Sequence, residues 1–192
     1  MLDKIKKIRE QTGAGMVDIK KALEESNGDE AKAMEVLRKR GKEKAMKKTE
    51  RSTQEGIVVS YIHSNNRVGA ILNLLCETDF VARNEEFKNL ALDIAMHITA
   101  MNPKYIKPED VNGEIIAKER EIWTEQLKSE GKSDDLIQNI LLGKENKFRE
   151  ELSLLTQPFI KNPEQKVGDL IKEKIGKIGE NIQVGKFYRI EL

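Results

Sequence analysis

The spacing of the apolar residues changes twice along this chain, and the changes divide it into regions of different secondary structure. Up to residue 41 the apolar residues recur at the three- and four-residue intervals of amphipathic helices. From residue 57 to residue 76 they alternate or run together, as in β-strands. Helical spacing then returns for most of the remaining sequence. The pattern therefore predicts an α+β fold.

Three short helices are predicted in residues 1–41. Breaker residues at 12–15 and 26–28 separate them. Asp29 is a favourable N-cap for the third helix, and Gly41 is expected to end it. Helices of this length can bury one small core, so we expect residues 1–41 to form a three-helix N-terminal module. Its apolar stripes comprise Leu2, Ile5 and Ile8, then Met16, Ile19, Ala22 and Leu23, and finally Ala33, Val36 and Leu37.

A basic segment follows this module. Residues 38–51 contain eight Lys or Arg against two Glu, which makes contact with nucleic-acid phosphates one possible role. The whole chain has 34 basic and 33 acidic residues, a net charge of +1, and no aromatic residue interrupts the segment. We therefore favour a solvated linker, assign it to residues 42–55, and place the core domain at residues 56–192.

Residues 57–76 predict a β-hairpin that turns at Asn65 and Asn66. This register sets Val59 opposite Leu72 and Ser60 opposite Ile71. Both faces of the hairpin are then apolar, and only one of them can rest on helices of the same chain. The other face needs a loop of this chain or a second chain. The first face carries Ile57, Val59, Tyr61, Leu72 and Leu74, and the second carries Val58, Ile62, Ile71 and Leu75.

The rest of the chain is predicted to be mainly helical, with a final strand. Helical stripes cover residues 87–98, 115–127, 136–155 and 164–176. Residues 181–190 favour a strand that joins the hairpin. The predicted core is thus a small antiparallel sheet packed with helices.

Residues that could support catalysis are scarce. The only histidines are His63 and His97, and the hairpin register keeps His63 away from Cys76, the only cysteine. Gly143 and Lys144 are followed by Glu145, which does not fit a phosphate-binding P-loop. We therefore expect no enzyme, no metal and no cofactor.

The sequence also bears on where the protein works. One cysteine permits no internal disulfide and fits a reducing compartment. The first ten residues resemble neither a signal nor a transit peptide, and the apolar runs are too short to span a membrane. We expect a cytoplasmic protein.

Phe80 and Val81 occupy the connection between the second strand and the next helix. An aromatic residue at a helix start can pack onto its own core. It can also stand exposed as an anchor for a partner. The residues alone do not decide between these two interpretations.

Three motifs occur in order along the chain, at residues 12–29, 78–83 and 179–182, and together they resemble the elongation factor Ts family. The N-terminal residues are similar to that family's first domain, a module similar to ubiquitin-associated domains. Residues 78–83 resemble its core signature, and residues 179–182 resemble a third motif near the last strand. The residues of the resemblance are Thr12, Gly13, Ala14, Gly15, Met16, Asp18, Ile19, Lys20, Lys21, Ala22, Leu23, Asn27, Gly28 and Asp29; Thr78, Asp79, Phe80, Val81, Ala82 and Arg83; and Gly179, Glu180, Asn181 and Ile182.

The resemblance implies a nucleotide-exchange factor that binds elongation factor Tu, both GDP-bound and nucleotide-free, and promotes GDP release without catalytic residues of its own. Phe80 is implied to insert between two helices of the partner's GTPase domain and to displace the elements that hold magnesium and the phosphates. Thr78, Asp79 and Val81 complete that partner-binding motif, and Asp79 is implied to fix the loop against the partner. Lys20 and Lys48 are implied to be further partner contacts.

Long-form members of the family have two related core subdomains. This chain has one recognisable hairpin and ends shortly after Ile182, so it looks like the short form, in which two chains associate. We therefore expect a homodimer. Two other classes stay open: a ubiquitin-associated-like adaptor, in which residues 78–81 would have no role, and a nucleic-acid-binding protein that uses residues 38–51.

Overall fold

The computed structural model describes residues 2–192, apart from the side chains of Lys42 and Lys44. Three helices come first in the chain, and strands and helices are interspersed after them. In chain order they are α1 (Leu2–Thr12), α2 (Met16–Glu25), α3 (Glu30–Met46), β1 (Glu55–Ile62), β2 (Val68–Cys76), α4 (Asp79–Ala82), α5 (Glu85–Met101), α6 (Gly113–Ser129), α7 (Asp134–Leu152), β3 (Pro158–Phe159), β4 (Asn162–Lys166), α8 (Val167–Ile178) and β5 (Gln183–Glu191), with 3₁₀ turns at Pro108–Asp110 and Leu154–Thr156.

Helices α1 to α3 pack around a small core of their own, which confirms the three predicted helices. Asp29 is the N-cap of α3, since its side chain accepts a hydrogen bond from the Lys32 amide at 3.1 Å. The preceding turn needs left-handed backbone, with φ of 50° at Asn27 and 80° at Gly28. The buried residues of this core are Ile8, Ile19, Ala22, Leu23, Ala33 and Leu37.

The prediction that Gly41 ends the third helix is wrong, because α3 continues to Met46. Helix α3 packs against α8, and Gly41 faces Gly176 there. A Cβ atom added at Gly176 would lie only 3.2 Å from the Gly41 carbonyl oxygen. The two glycines therefore allow a close approach of two helices. The domain boundaries at residues 41/42 and 55/56 stay a prediction.

The core sheet has the order β1-β2-β5, with both pairs antiparallel. The predicted hairpin register is confirmed, since Val59 pairs with Leu72 and Ser60 with Ile71. Asn66 takes the left-handed conformation in the turn, with a φ of 53°. The predicted C-terminal strand also joins the hairpin, alongside β2. The predicted helix at 164–176 begins later than expected, at Val167, because residues 162–166 form β4.

One face of this sheet packs against α4 and α5, and buried residues of α8 join the same main core. Phe87, Leu90 and Ile94 of α5 are buried against Leu72 and Leu74 of β2. Glu86 ties α5 to α8 through ion pairs with Lys174 at 2.6 Å and Lys177 at 2.8 Å. The α+β prediction, a three-helix module followed by a small antiparallel sheet packed with helices, is confirmed.

The opposite face of the sheet is apolar and exposed, and we call it the outer sheet face. The register places Ile71 beside Tyr188, and Gly69 between Ile62 and Ile190. Neighbouring strands thus bring these side chains together on one surface. Its exposed large apolar residues are Val58, Ile62, Ile71, Tyr188, Ile190 and Leu192.

Helices α6 and α7 form a separate antiparallel pair with a small apolar seam of Leu127, Ile137 and Leu141. Trp123 packs edge-on against Phe148, with ring centroids 5.6 Å apart. Across residues 2–192 the helices are all too short or too polar to cross a membrane.

His97 is wholly buried and hydrogen-bonded on both sides of its ring. Its Nδ1 accepts from the Ile160 amide at 3.2 Å, which leaves Nε2 to donate to the Gln157 side-chain oxygen at 3.0 Å. Burial lowers the pKa of His97, and the Gln157 hydrogen bond opposes that effect. The neutral ring is therefore the native form.

This arrangement predicts a loss of stability on mild acidification. A histidine in the unfolded chain binds a proton near pH 6.5, whereas the folded chain resists protonation at His97. The free energy that His97 contributes is thus present above about pH 6.5 and declines as the pH falls below it. Urea unfolding between pH 7.5 and pH 5.5 measures this. His97→Gln should flatten the pH dependence, while the control His63→Gln, at an exposed position, should not.

Candidate functional site

Phe80 projects into solvent from the connection between β2 and α5. It lies on α4, a helix of four residues, and is 79% exposed. The interpretation in which Phe80 packs onto its own core is therefore wrong. An aromatic side chain exposed to this extent contributes little to folding and is available to a partner.

The neighbouring residues of α4 are held more closely to the chain than Phe80 is. Ala82 is buried in the main core, and Val81 is half-buried against it. Asp79 forms an exposed ion pair with Arg83 at 3.0 Å along one turn. The short helix thus has a buried inner side, and Phe80 stands on its outer side.

Capping hydrogen bonds hold the connection between β2 and α5 at both of its ends. Thr78 is the N-cap of α4, and the Thr78 hydroxyl oxygen accepts from the Val81 amide at 3.4 Å. At the other end, Asn84 caps the next helix by accepting from the Glu86 amide at 2.7 Å. The connection from strand to helix is therefore built from two successive caps.

Residues of the third motif also hold this connection, which the sequence did not predict. The Glu180 carboxylate accepts hydrogen bonds from the amides of Glu77 and Thr78, at 3.1 and 3.0 Å, and from the Thr78 hydroxyl at 2.6 Å. Glu180 is more than 100 residues away along the chain, so local spacing carries no sign of the contact. The only sequence feature that pointed to Glu180 was its place in the motif of Gly179, Glu180, Asn181 and Ile182.

Cys76 ends β2 beneath this connection and is fully buried. Its Sγ donates to the Thr78 carbonyl at 3.2 Å. Burial, reinforced by the nearby Glu180 carboxylate, raises the pKa of the Cys76 thiol to about 11. The thiol is consequently protonated at neutral pH and unsuited to act as a nucleophile.

Lys20 and Lys48 lie in different surroundings. Lys20 is exposed on α2, with its ammonium 3.9 Å from Glu24. Lys48 is half-buried and donates from Nζ to the Gly179 carbonyl at the end of α8. Lys20 is therefore free to meet another molecule, whereas Lys48 also ties the segment after α3 to the core.

The basic segment 38–51 is partly neutralised within the chain. Lys39 pairs with Glu35 at 3.1 Å, Arg40 with Glu25 at 2.6 Å, and Arg51 with Glu77 at 3.6 Å. Several of its cations thus have intramolecular partners, which weakens the case for a phosphate-binding surface.

A metal centre finds no support in the part of the chain that the structure describes, since it contains no cluster of three His, Cys, Asp or Glu side chains suited to an ion. His63 lies 3.3 Å from the Tyr61 hydroxyl, on the hairpin, and His97 is enclosed in the core.

Comparisons with known proteins agree with the motifs. The family model described as "Elongation factor TS" matches residues 3–192. The chain is 55% identical to the elongation factor Ts of Thermosipho melanesiensis over 96% of this chain and 94% of that protein. It is 54% identical to that of Thermodesulfovibrio yellowstonii, over 98% of this chain and 94% of the relative. It is 51% identical to that of Thermotoga sp. strain RQ2, over 100% of this chain and 95% of the relative.

These matches extend across the N-terminal module, the Phe80 connection and the Glu180 motif together. A family model that covers nearly every residue, and relatives more than 50% identical over comparable lengths, leave one conclusion. The chain belongs to the elongation factor Ts family.

Proposed function

We propose that this protein is a guanine-nucleotide exchange factor that binds elongation factor Tu and accelerates its release of GDP. The observation that carries the proposal is the exposure of Phe80 on a connection that is otherwise capped and buried. Aromatic anchors presented in this way dominate the energetics of protein interfaces. As a translation factor, the protein is expected to act in the cytoplasm, a reducing compartment in which a single free thiol stays reduced.

The proposed mechanism is competition between two ligands for two conformations of the partner. Insertion of the Phe80 ring between two helices of the GTPase domain would displace the elements that hold magnesium and the phosphates. Asp79 would fix the connection against the partner, and Thr78 and Val81 would keep α4 in place. The exchange factor and GDP then lower each other's affinity by the same factor. No covalent bond changes, so the protein is not an enzyme in this scheme.

A nucleotide-release assay tests the function directly. Purified elongation factor Tu is loaded with fluorescent GDP, and its release is followed in excess unlabelled GDP with and without this protein. We expect release to accelerate in proportion to the concentration of the factor until saturation. An unchanged release rate would refute the proposal. Binding to immobilised ubiquitin or to RNA in that case would favour the adaptor or the nucleic-acid-binding alternative.

Lys20 and Lys48 are proposed as additional partner contacts. Exposed charges near an interface mainly affect association rates and their salt dependence. We expect Lys20→Ala and Lys48→Ala to slow association with elongation factor Tu, more at 50 mM than at 500 mM salt. Stopped-flow measurements at both salt concentrations provide the test. Lys21→Ala is the matched control, since it removes the same charge from another side of α2 and should have a smaller effect.

Lys48→Ala also removes the hydrogen bond to Gly179, so a structural effect on the segment after α3 is expected as well. If Lys48→Ala slows association by the same factor at both salt concentrations, Lys48 acts by holding the N-terminal module. If neither lysine variant changes the association rate at 50 mM salt, the assignment of both residues as partner contacts is refuted.

We also propose that two copies of the chain associate through the outer sheet face. This face is apolar, continuous over three strands and exposed. A small sheet that packs helices on one side is stabilised when a second layer covers the other. Two copies related by a two-fold axis would place one sheet on the other in a sandwich about 10 Å thick.

A further inference from the structure

The connection that presents Phe80 is attached to two other segments of the chain. Its first residues, Glu77 and Thr78, contact Glu180 and Asn181, which follow α8. Asn181 in turn contacts the segment after α3, because its side-chain amide donates to the carbonyls of Thr49 and Arg51, at 3.2 and 2.7 Å. Three regions distant in sequence therefore meet behind α4.

The contacts between the first two segments are reciprocal. Glu180 accepts from the backbone of Glu77 and Thr78, while the Glu77 carboxylate accepts from the Asn181 amide at 2.6 Å. Hydrogen bonds to ionised carboxylates are stronger than those between neutral groups. Since Asn181 is completely buried, these bonds also lie at the edge of the core. The two backbones are thereby locked in one relative position.

Glu180 also determines how the N-cap of α4 is oriented. The Thr78 hydroxyl has one proton, and it donates that proton in a short hydrogen bond of 2.6 Å to the Glu180 carboxylate. The hydroxyl oxygen is then turned to accept from the Val81 amide. A helix of four residues has too few internal hydrogen bonds to hold its own shape, so this external contact matters to α4.

We propose that Glu180 is a positioning residue for nucleotide exchange, because it holds α4 in the orientation that presents Phe80 before the partner arrives. This inference rests on the proposed function. A connection that is already ordered loses less conformational entropy on binding, which favours both association and insertion of the ring. Glu180 itself need not touch the partner for this role.

The first test is structural and independent of the partner. In hydrogen exchange measured by NMR, the amides of Glu77 and Thr78 should exchange at least about tenfold faster in Glu180→Ala than in the unchanged protein. Glu180→Gln retains a carbonyl oxygen and should keep part of the protection. Glu164→Ala removes an exposed carboxylate on β4 and should change neither amide. Unchanged protection in Glu180→Ala would overturn the proposal.

The second test is functional. Glu180→Ala should reduce the second-order rate constant for stimulated GDP release by about tenfold, with partial recovery in Glu180→Gln. In a Phe80→Ala background the same change should have little further effect, because the side chain that Glu180 positions is already absent. A general loosening of the structure would instead give independent, multiplicative losses. That result, or a normal rate constant in Glu180→Ala, would also overturn the proposal.

The two proposals fail in different ways. If the unchanged protein does not stimulate GDP release, the proposed function is wrong, and the amide protection still decides whether Glu180 orders α4. If the unchanged protein is active and Phe80→Ala is not, but Glu180→Ala is fully active, the positioning role alone is wrong.

Discussion

Phe80→Ala is expected to reduce the stimulated rate of GDP release by roughly thirtyfold or more, while the protein stays folded. Truncation of an interface hot spot costs about 2 kcal/mol or more, and each 1.4 kcal/mol is about a factor of ten. Because Phe80 is 79% exposed, its ring contributes little to the core. The melting temperature should therefore change by less than about 2 °C. Fluorescent-GDP release and thermal unfolding measure the two effects separately.

Phe87→Ala is the matched control for this prediction. It makes the same chemical change seven residues later, at a side chain that is completely buried under the sheet. We expect it to lower the free energy of unfolding by about 3–5 kcal/mol. Those molecules that remain folded should still stimulate GDP release. If Phe80→Ala instead unfolds several degrees early yet exchanges nucleotide at the normal rate, the role of Phe80 as an anchor is refuted.

Ile71→Lys is expected to convert the proposed dimer into a folded monomer. Ile71 is in β2, the central strand, and pairs with Ser60 and Tyr188 across the outer sheet face. A two-fold axis would bring two lysines into the interface, and an unpaired buried charge is costly. We expect the dimer dissociation constant to rise at least about 100-fold. Sedimentation velocity across micromolar concentrations provides the measurement.

The chain offers a control for this experiment as well. Leu142 is exposed on α7, away from the sheet, so Leu142→Lys adds the same charge without entering the proposed interface. It should leave the dimer intact. A stable dimer of this kind should bury more than about 1,000 Å² in total. A monomer for the unchanged protein at micromolar concentrations, with full exchange activity, would contradict the proposed dimer.

Local patterns determined much of this fold. The hairpin register followed from centring the turn on Asn65 and Asn66, because the position of a short turn sets which residues of the two strands lie opposite each other. The three N-terminal helices followed from their apolar stripes and breakers. The end of α3 did not, since the residues around Gly41 give no sign that α8, more than 120 positions later in the chain, packs against them.

The candidate site also has features that local sequence predicted and features that only the structure revealed. The residues alone left open whether Phe80 is a core side chain or an exposed anchor, because its burial depends on what lies around it in space. The structure decided that question by exposing the ring. The contact of Glu180 with Thr78 joins residues separated by 102 positions, and no periodicity or capping rule relates them. The sequence by itself determined most of the elements and their apolar faces, since these depend on neighbouring residues. Only the tertiary structure decided which elements pack together and which side chains remain at the surface, because those outcomes depend on contacts between distant parts of the chain.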